Sequence, residues 1–287
     1  MADDELVAFA KQLAPQPFDR STVSERRNAI EEHIKRNTSS VGLVESGSWS
    51  HGTAVTGHSD VDYMAFFPDG SRPVRPSTAL TNLKGTLDGA HWGITSRQIS
   101  SPTVKVGFCS VPNFEIVPAY YKGEKDEIAV FRIPGPGDEW AESVPLGHNG
   151  FVSAVNDAHG KKVKPLVRLV KAWKYHVEAP VSSFYLEMRT AKHASTESAI
   201  IYDIDLRMIF RELVNTGMRA MNDPLGIVPR INATSSEANR VTALRQAKEA
   251  LGCLAAANEA KEASDRSTYW TNMYRVFGYD FPYPSWG

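Results

Sequence analysis

Cysteine is almost missing: Cys109 and Cys253 are the only two in 287 residues, and they stand far apart. With no CxxC pair and no closely spaced set, there is no zinc-ligand spacing and no disulfide framework, and a reducing, cytoplasmic setting is expected. An excess of charge is missing too, since 32 Lys and Arg face 33 Asp and Glu for a formal net charge of −1. A protein that holds duplex DNA by neutralising many phosphates needs a basic surplus, so duplex DNA is not expected as a required partner, while small anionic ligands stay open. No stretch approaches the roughly 18 apolar residues of a membrane span, and the acidic opening MADDELVAFAKQLAP is too poor in apolar residues for a signal peptide. No internal repeat and no low-complexity tract is present, and no membrane partner is expected.

What is there is the composition of a globular protein, 42% hydrophobic and 23% charged, long enough for two ordinary lobes. The segment STVSERRNAIEEHIKRN sets Val23, Ile30 and Ile34 among charges and predicts an amphipathic helix over about 21 to 37. From Val41 the pattern changes to short β-branched and apolar runs broken by Gly, Pro, Ser and Asp, which predicts a sheet-forming stretch over roughly 41 to 135, with a helix near 77 to 89. After the loop IPGPGDEW the 3.6-residue period takes over, first in KKVKPLVRLVKAWKYHVE and then to the end of the chain. The expected class is α+β: a two-lobed chain with a mixed sheet and an N-terminal helix over 1–160, and a helical lobe over 161–287.

The informative run is GSWSHGTAVTGHSDVDYMAFF. Gly47 and Ser48 follow an apolar strand, eleven residues intervene, and Asp60-Val61-Asp62 then leads into a second apolar strand. Residues two apart on a strand share a face, so Asp60 and Asp62 present their carboxylates side by side. Two such carboxylates repel unless a cation lies between them, and hard oxygen ligands suit Mg²⁺. A further carboxylate is offered by Glu115 in PNFEIVPAYY, where it interrupts an otherwise apolar strand; a cation or a salt bridge to a nearby Lys or Arg would each account for it. A solvated turn is the alternative for Asp60 and Asp62. Gly47 lets a phosphate approach the backbone, and Ser48 can offer its hydroxyl and amide to phosphate oxygens. His51 and His58 lack ligand spacing and read as loop residues.

This ordered set resembles the signature of DNA polymerase β-type nucleotidyltransferases: apolar-Gly-[Gly/Ser], nine to thirteen residues, then Asp-apolar-[Asp/Glu]-apolar. Within that superfamily the chain is most similar to the cyclic GMP-AMP synthase/DncV-like nucleotidyltransferases, the CD-NTases of bacterial anti-phage systems. The likeness covers most of the length and extends through LVRLVKAWK, SSFYLE and YWTNMYRVFGYDFP. It implies a nucleotidyltransferase with Asp60, Asp62 and Glu115 as catalytic metal ligands for two Mg²⁺ ions, or Mn²⁺ in their place. It also implies nucleoside triphosphate substrates, a cyclic oligonucleotide second messenger as product, and regulatory or effector protein partners.

By the same resemblance Lys171 reaches phosphates, Ser183 contacts the triphosphate and Phe184 stacks on a nucleobase; a solvated helix face for Lys171 and a core position for Phe184 are the alternatives. Trp173 and Leu186 read as core. The chain departs from the family pattern twice, with Glu115 where Asp is commoner and Phe184 where Tyr is frequent. The longer carboxylate moves its oxygens by roughly 1.5 Å, and the missing hydroxyl leaves the aromatic face intact.

Overall fold

The computed structural model describes residues 4–228 and 230–283 and divides the chain into two compact units, 15–150 and 1–14 with 151–287. The first unit opens with helix α2 (Pro17–Asn37), preceded in the chain by α1 (Asp4–Gln12), which belongs to the second unit. Helix α2 begins one turn before the expected residue 21 because Pro17 occupies its first turn and the Gln16 amide donates to Asp19 Oδ2 at 2.9 Å.

Seven strands follow: β1 (Gly42–Ser46), β2 (Val61–Phe67), β3 (Ile94–Ser100), β4 (Thr103–Phe108), β5 (Phe114–Lys125), β6 (Ile128–Pro134) and β7 (Trp140–Ser143). They form one mixed sheet in the order β1-β2-β5-β4-β3, with β6 on β5 and β7 on β6; the β2/β5 pair is parallel and the others are antiparallel. A parallel pair needs a long crossover, and the crossover here carries helix α4 (Pro76–Thr86).

Strand alternation sorts the two faces of the sheet. Val61, Tyr63, Val104, Val106, Phe114 and Ile116 are buried with Val23, Ile30 and Ile34 of α2 and with Leu80 and Leu83 of α4. The intervening residues Asp62, Lys105 and Glu115 therefore point to the opposite face. Arg26 ties α2 to the β4–β5 turn: its guanidinium donates to the carbonyls of Ser110 and Pro112 at 2.9 and 2.8 Å and lies 4.3 Å over the Phe108 ring.

The IPGPGDEW segment, expected to end the sheet, is instead the turn from β6 to β7. Asp138 in it accepts from the Ser77 amide at 2.7 Å at the start of α4, and Trp140 packs edge-on against Tyr120 at 5.2 Å. Pairing of Ile133 with Ala141 and of Pro134 with Trp140 extends the sheet to Ser143.

The second unit contains α6 (Val163–His176), α7 (Ser183–Ala194), α8 (Tyr202–Asn215), α9 (Glu237–Glu262) and α10 (Arg266–Phe277); α5 (Pro145–Ala158) crosses the division between units. Its core holds Leu166, Val170, Trp173, Leu186, Leu206 and Phe210, with the Trp173 ring perpendicular to Phe210 at 4.9 Å. Alanines 243, 247, 250, 257 and 260 line the buried side of α9, where small side chains permit close helix approach. Leu6, Phe9 and Ala10 of α1 are buried in this core, spaced to share one helix face. The division at 150/151 thus falls ten residues before the expected 160, and residues 4–14 pack with the helices. Among the described residues no helix is long and apolar enough to cross a membrane.

Candidate active site

The register of the sheet lines up a row of polar residues across five strands. Ser46 of β1 pairs with Asp62 of β2, Asp62 with Glu115 of β5, Glu115 with Lys105 of β4, and Lys105 with Gln98 of β3. Asp62 and Glu115 are half-buried neighbours on the face opposite the α2 and α4 core.

Gly47 closes one end of this arrangement. It follows β1 directly, opens the short helix α3 (Gly47–Ser50) and adopts a φ of +59°. A Cβ at this position would stand 2.1 Å from Asp62 Oδ2 and 2.7 Å from its Cγ, so the backbone of residue 47 lies against the carboxylate itself. Glycine meets both demands, the left-handed backbone and the close approach.

The eleven residues between Ser48 and Asp60 are folded back on themselves. The Thr53 amide donates to the Ser48 carbonyl at 2.8 Å, the Ser59 amide to the Val55 carbonyl at 3.0 Å, and the buried Trp49 indole to the Ser59 carbonyl at 3.2 Å. His51 and His58, read as loop residues, both lie in turns, His51 buried and His58 exposed. Asp60 lies one residue ahead of β2, held from behind by Ser59 and from ahead by the Val61 amide, which donates to the Asn113 carbonyl at 2.9 Å. A cavity of about 270 Å³ opens beside it, lined by Trp49, His58, Ser59 and Asn113 among others.

Electrostatics at Asp60 favour the arrival of a cation. Burial first, and then the charge of Glu115, raise the Asp60 pKa above the ordinary aspartate value, against opposing contributions from Lys105 and from a hydrogen bond with Asn113. Asn113 Oδ1 in turn accepts from the Phe108 amide at 3.1 Å, which fixes its carboxamide. Glu115 meets Lys105 Nζ at 2.7 Å and accepts from Thr103 Oγ1 at 3.3 Å. The salt bridge left open as one account of Glu115 is therefore present. Its hydrogen bond to Glu115 raises the Lys105 pKa, burial opposes this, and the charges of Glu115, Asp60 and Asp62 add to the rise.

Asp60, Asp62 and Glu115 supply the hard oxygen donors a divalent ion such as Mg²⁺ requires, and Gly47 leaves room for the Asp62 carboxylate that a Cβ would fill. Among the described residues, however, no three Asp, Glu, His or Cys side chains already converge as a metal cage. The donor chemistry fits; the final gathering of the carboxylates is not preformed. A larger cavity of about 880 Å³ in the same unit, lined by Pro76, Leu80, Ile99 and Pro134 among others, includes none of the three carboxylates.

The remaining candidate residues lie in the helical unit. Lys171 is 1% exposed and pairs with the equally buried Glu187 at 2.6 Å. Its ammonium is engaged inside the helical core, unlike the solvated face and unlike the phosphate contact expected of it. Ser183 begins α7, where the Ser182 side chain caps the helix by accepting from the Tyr185 amide. The cation that meets Ser183 is Lys174, one turn beyond Lys171, with Nζ 2.5 Å from Ser183 Oγ; the Tyr175 hydroxyl stands 3.4 Å from the same oxygen. Burial, and then the charge of Lys171, lower the Lys174 pKa to about 8. Lys174 stands outside the residues the sequence singles out; Glu187, the carboxylate that closes SSFYLE, is the signal that one lysine of KAWK is taken up in an internal pair. Phe184 is 37% exposed, and Trp173 and Leu186 are core.

The Second Messenger Oligonucleotide or Dinucleotide Synthetase domain matches residues 1–156. Among curated proteins no match is found. Among solved structures, CdnC of E. coli MS115-1 with ATP superposes at a TM-score of 0.75 with 22% identity, over 98% of this chain and 99% of that one. The same CdnC in a CdnC:HORMA-deltaN complex gives 0.76 at 21% identity, over 98% of each chain. CdnG of Bradyrhizobium diazoefficiens, a CD-NTase in complex with GTP, gives 0.75 at 13% identity, over 97% and 95%. The cyclic AMP-GMP synthase DncV of Vibrio cholerae, with the linear intermediate 5′ pppA(3′,5′)pG, gives 0.66 at 13% identity, over 84% and 70%. At these identities the likeness is one of fold, and the family match extends over more than half the chain. The chain belongs to the Second Messenger Oligonucleotide or Dinucleotide Synthetase family and carries the fold of the CD-NTases.

Proposed function

We propose that this protein joins nucleoside triphosphates into a cyclic di- or trinucleotide with release of pyrophosphate, as the signal-producing enzyme of a bacterial anti-phage (CBASS) system. The observation that carries the reading is the cross-strand row of Asp62 and Glu115, with Gly47 pressed on the Asp62 carboxylate and Asp60 held alongside, in a member of a second-messenger synthetase family.

In the reaction a ribose hydroxyl oxygen bonds to the α-phosphorus of a nucleoside triphosphate, the bond from that phosphorus to the bridging oxygen of the β-phosphate breaks, pyrophosphate leaves and the hydroxyl proton passes to water. Divalent ions, held by Asp60, Asp62 and Glu115, would stabilise the attacking and departing oxygens. The chain's own part is positioning and charge. Gly47 and Ser48 admit a phosphate to the backbone beside Asp62, and Asn113 orients Asp60. In the helical unit, Lys174 with Ser183 offers an ammonium and a hydroxyl of the kind phosphate oxygens accept from, while Lys171 is paired internally. Phe184 offers an aromatic face to a base. One carboxylate cluster implies sequential transfers: a first that leaves a linear intermediate still carrying a 5′-triphosphate, and a second that closes the ring.

The closed ring has no terminal phosphate, which gives the test. Products made from the four triphosphates with Mg²⁺ and no DNA should survive alkaline phosphatase and be destroyed by a phosphodiesterase. Asp60→Asn with Asp62→Asn should make none while remaining folded. Products that are only phosphatase-sensitive would identify a linear oligonucleotide synthase, and products that need an added drug or tRNA a small-molecule or tRNA nucleotidyltransferase. Activity that appears only with duplex DNA would overturn the expectation that DNA is not required. The CdnC:HORMA-deltaN complex makes a protein regulator of this chain a reasonable object of pull-down.

A further inference from the structure

The carboxylate row contains a cation of its own. Lys105 projects from β4 directly opposite Glu115, and its Nζ lies 2.7 Å from Glu115 Oε1. The other members of the row, Ser46 and Gln98, carry no charge, and the charges of Asp60 and Asp62 act on the same ammonium. Thr103 Oγ1 stands 3.3 Å from the second oxygen of Glu115, its single proton shared with the Ser100 carbonyl at 3.0 Å. Among the described residues no three acidic side chains converge as a metal cage, and Glu115, one of the three site carboxylates, meets a lysine at hydrogen-bond distance.

We propose that Lys105 serves the carboxylate cluster as an internal counter-cation, and that a divalent ion can gather Asp60, Asp62 and Glu115 only by displacing the Lys105 ammonium from Glu115; this rests on the metal-binding reading above. A hard ion such as Mg²⁺ draws its oxygens to about 2.0–2.1 Å and carries two positive charges. An ammonium hydrogen-bonded to one of those oxygens competes for the same lone pair and repels the ion. Lysine is suited to yielding: its flexible four-carbon stem carries a compact charge, and the side chain is 48% exposed, so the head can turn to water.

Two consequences follow. Without an ion, the ammonium offsets the mutual repulsion of the carboxylates and protects the sheet. A bare ion meets competition, whereas an ion that arrives with a nucleoside triphosphate brings anionic oxygens of its own and displaces the lysine more readily. Lys105 is thus a positioning residue that makes the site assemble on the substrate complex.

Mn²⁺ binding to the full-length protein without nucleotide, read from the electron paramagnetic resonance signal of free Mn²⁺, tests this. Removing a unit charge a few ångströms from the site should tighten binding by about three- to tenfold in Lys105→Met and in Lys105→Gln. Asp60→Asn with Asp62→Asn should remove the site. Melting without metal should occur at a lower temperature in Lys105→Met than in the parent, with Mn²⁺ restoring more of the loss than it adds to the parent. If the parent binds, the Asp60/Asp62 variant does not, and both Lys105 variants bind no tighter than the parent, Lys105 is no competitor, while the metal reading stands. If the parent and the Asp60/Asp62 variant bind alike, the metal reading falls and takes this inference with it. Lys105→Gln carries the test alone should Lys105→Met fail to fold.

Discussion

Replacing Gly47 with alanine should separate catalysis from folding by an amount the geometry sets. The added Cβ would begin 2.1 Å from Asp62 Oδ2, 2.7 Å from Cγ and 2.9 Å from the Asp62 Cβ, on a backbone whose φ of +59° disfavours an L side chain. The backbone strain costs about 1–2 kcal/mol. The clash is relieved only when the carboxylate oxygen retreats by about 1 Å, and a misplacement of that size at a reacting centre costs on the order of 100-fold in rate, or about 2.7 kcal/mol in the barrier. Pyrophosphate release with Mg²⁺ and the four triphosphates should therefore fall by about 100-fold, while circular dichroism retains its mixed α/β form and the melting temperature drops by several degrees. The reasoning is refuted if Gly47→Ala, shown to be folded, releases pyrophosphate within about threefold of the parent, since the carboxylate would then tolerate a displacement the chemistry should not.

Phe184→Ala should weaken nucleotide use by about 1–3 kcal/mol and Phe184→Tyr much less; equal kinetics for all three forms would remove Phe184 from base recognition. Lys174, lowered to about 8, should lose its charge in the nucleotide-free protein as pH rises through that value, so the KM for triphosphate should climb above about pH 8, and Lys174→Met should abolish that climb. A parental KM that stays flat from pH 7 to 9.5 would count against its phosphate role. The same lowered value has a stability sign: the unfolded lysine binds a proton that the folded one has released between about pH 8 and 10.5, so this residue's cost to folding shrinks as pH rises across that window. Lys171→Met should destabilise by about 3–5 kcal/mol by taking the buried cation away from buried Glu187, and adding Glu187→Met should recover most of the loss. A double variant no more stable than the single one in denaturant titration would show that the pair is not what Lys171 is for.

Period-two alternation made the site legible where it depends on one strand: Asp60, Asp62 and Glu115 were readable as carboxylates leaving the apolar face, and the structure puts Asp62 and Glu115 side by side. Cross-strand partners are another matter, because they depend on register. The meeting of Lys105 with Glu115 follows from Val104 facing Ile116, a pairing that neither strand announces alone. Helix period placed the elements of the second unit but could not choose between Lys171 and Lys174, since the choice is made by Glu187 and Ser183 on another helix. Helix α1 and strand β7 went unread for the same physical reason. Helix α1 is nine residues long and β7 four, each too short for a period to stand out, and each is stabilised by residues elsewhere: the helical core for α1, β6 and Tyr120 for β7.

The placement of α1 bears on the order in which the chain can acquire its structure. The sheet unit is one uninterrupted stretch, residues 15–150, so every strand it needs is synthesised before helices α6 to α10 of the second unit. The helical unit is interrupted: Leu6, Phe9 and Ala10 emerge first, yet the core that buries them is supplied by residues beyond 150. Domains fold as they are synthesised, from the N-terminal side onward, and contacts between distant residues bear the entropy of closing a long loop. A sheet unit already folded shortens that loop, because it replaces well over a hundred flexible residues with a rigid body, and α1 then waits as a short amphipathic segment for α6 and α8 to arrive.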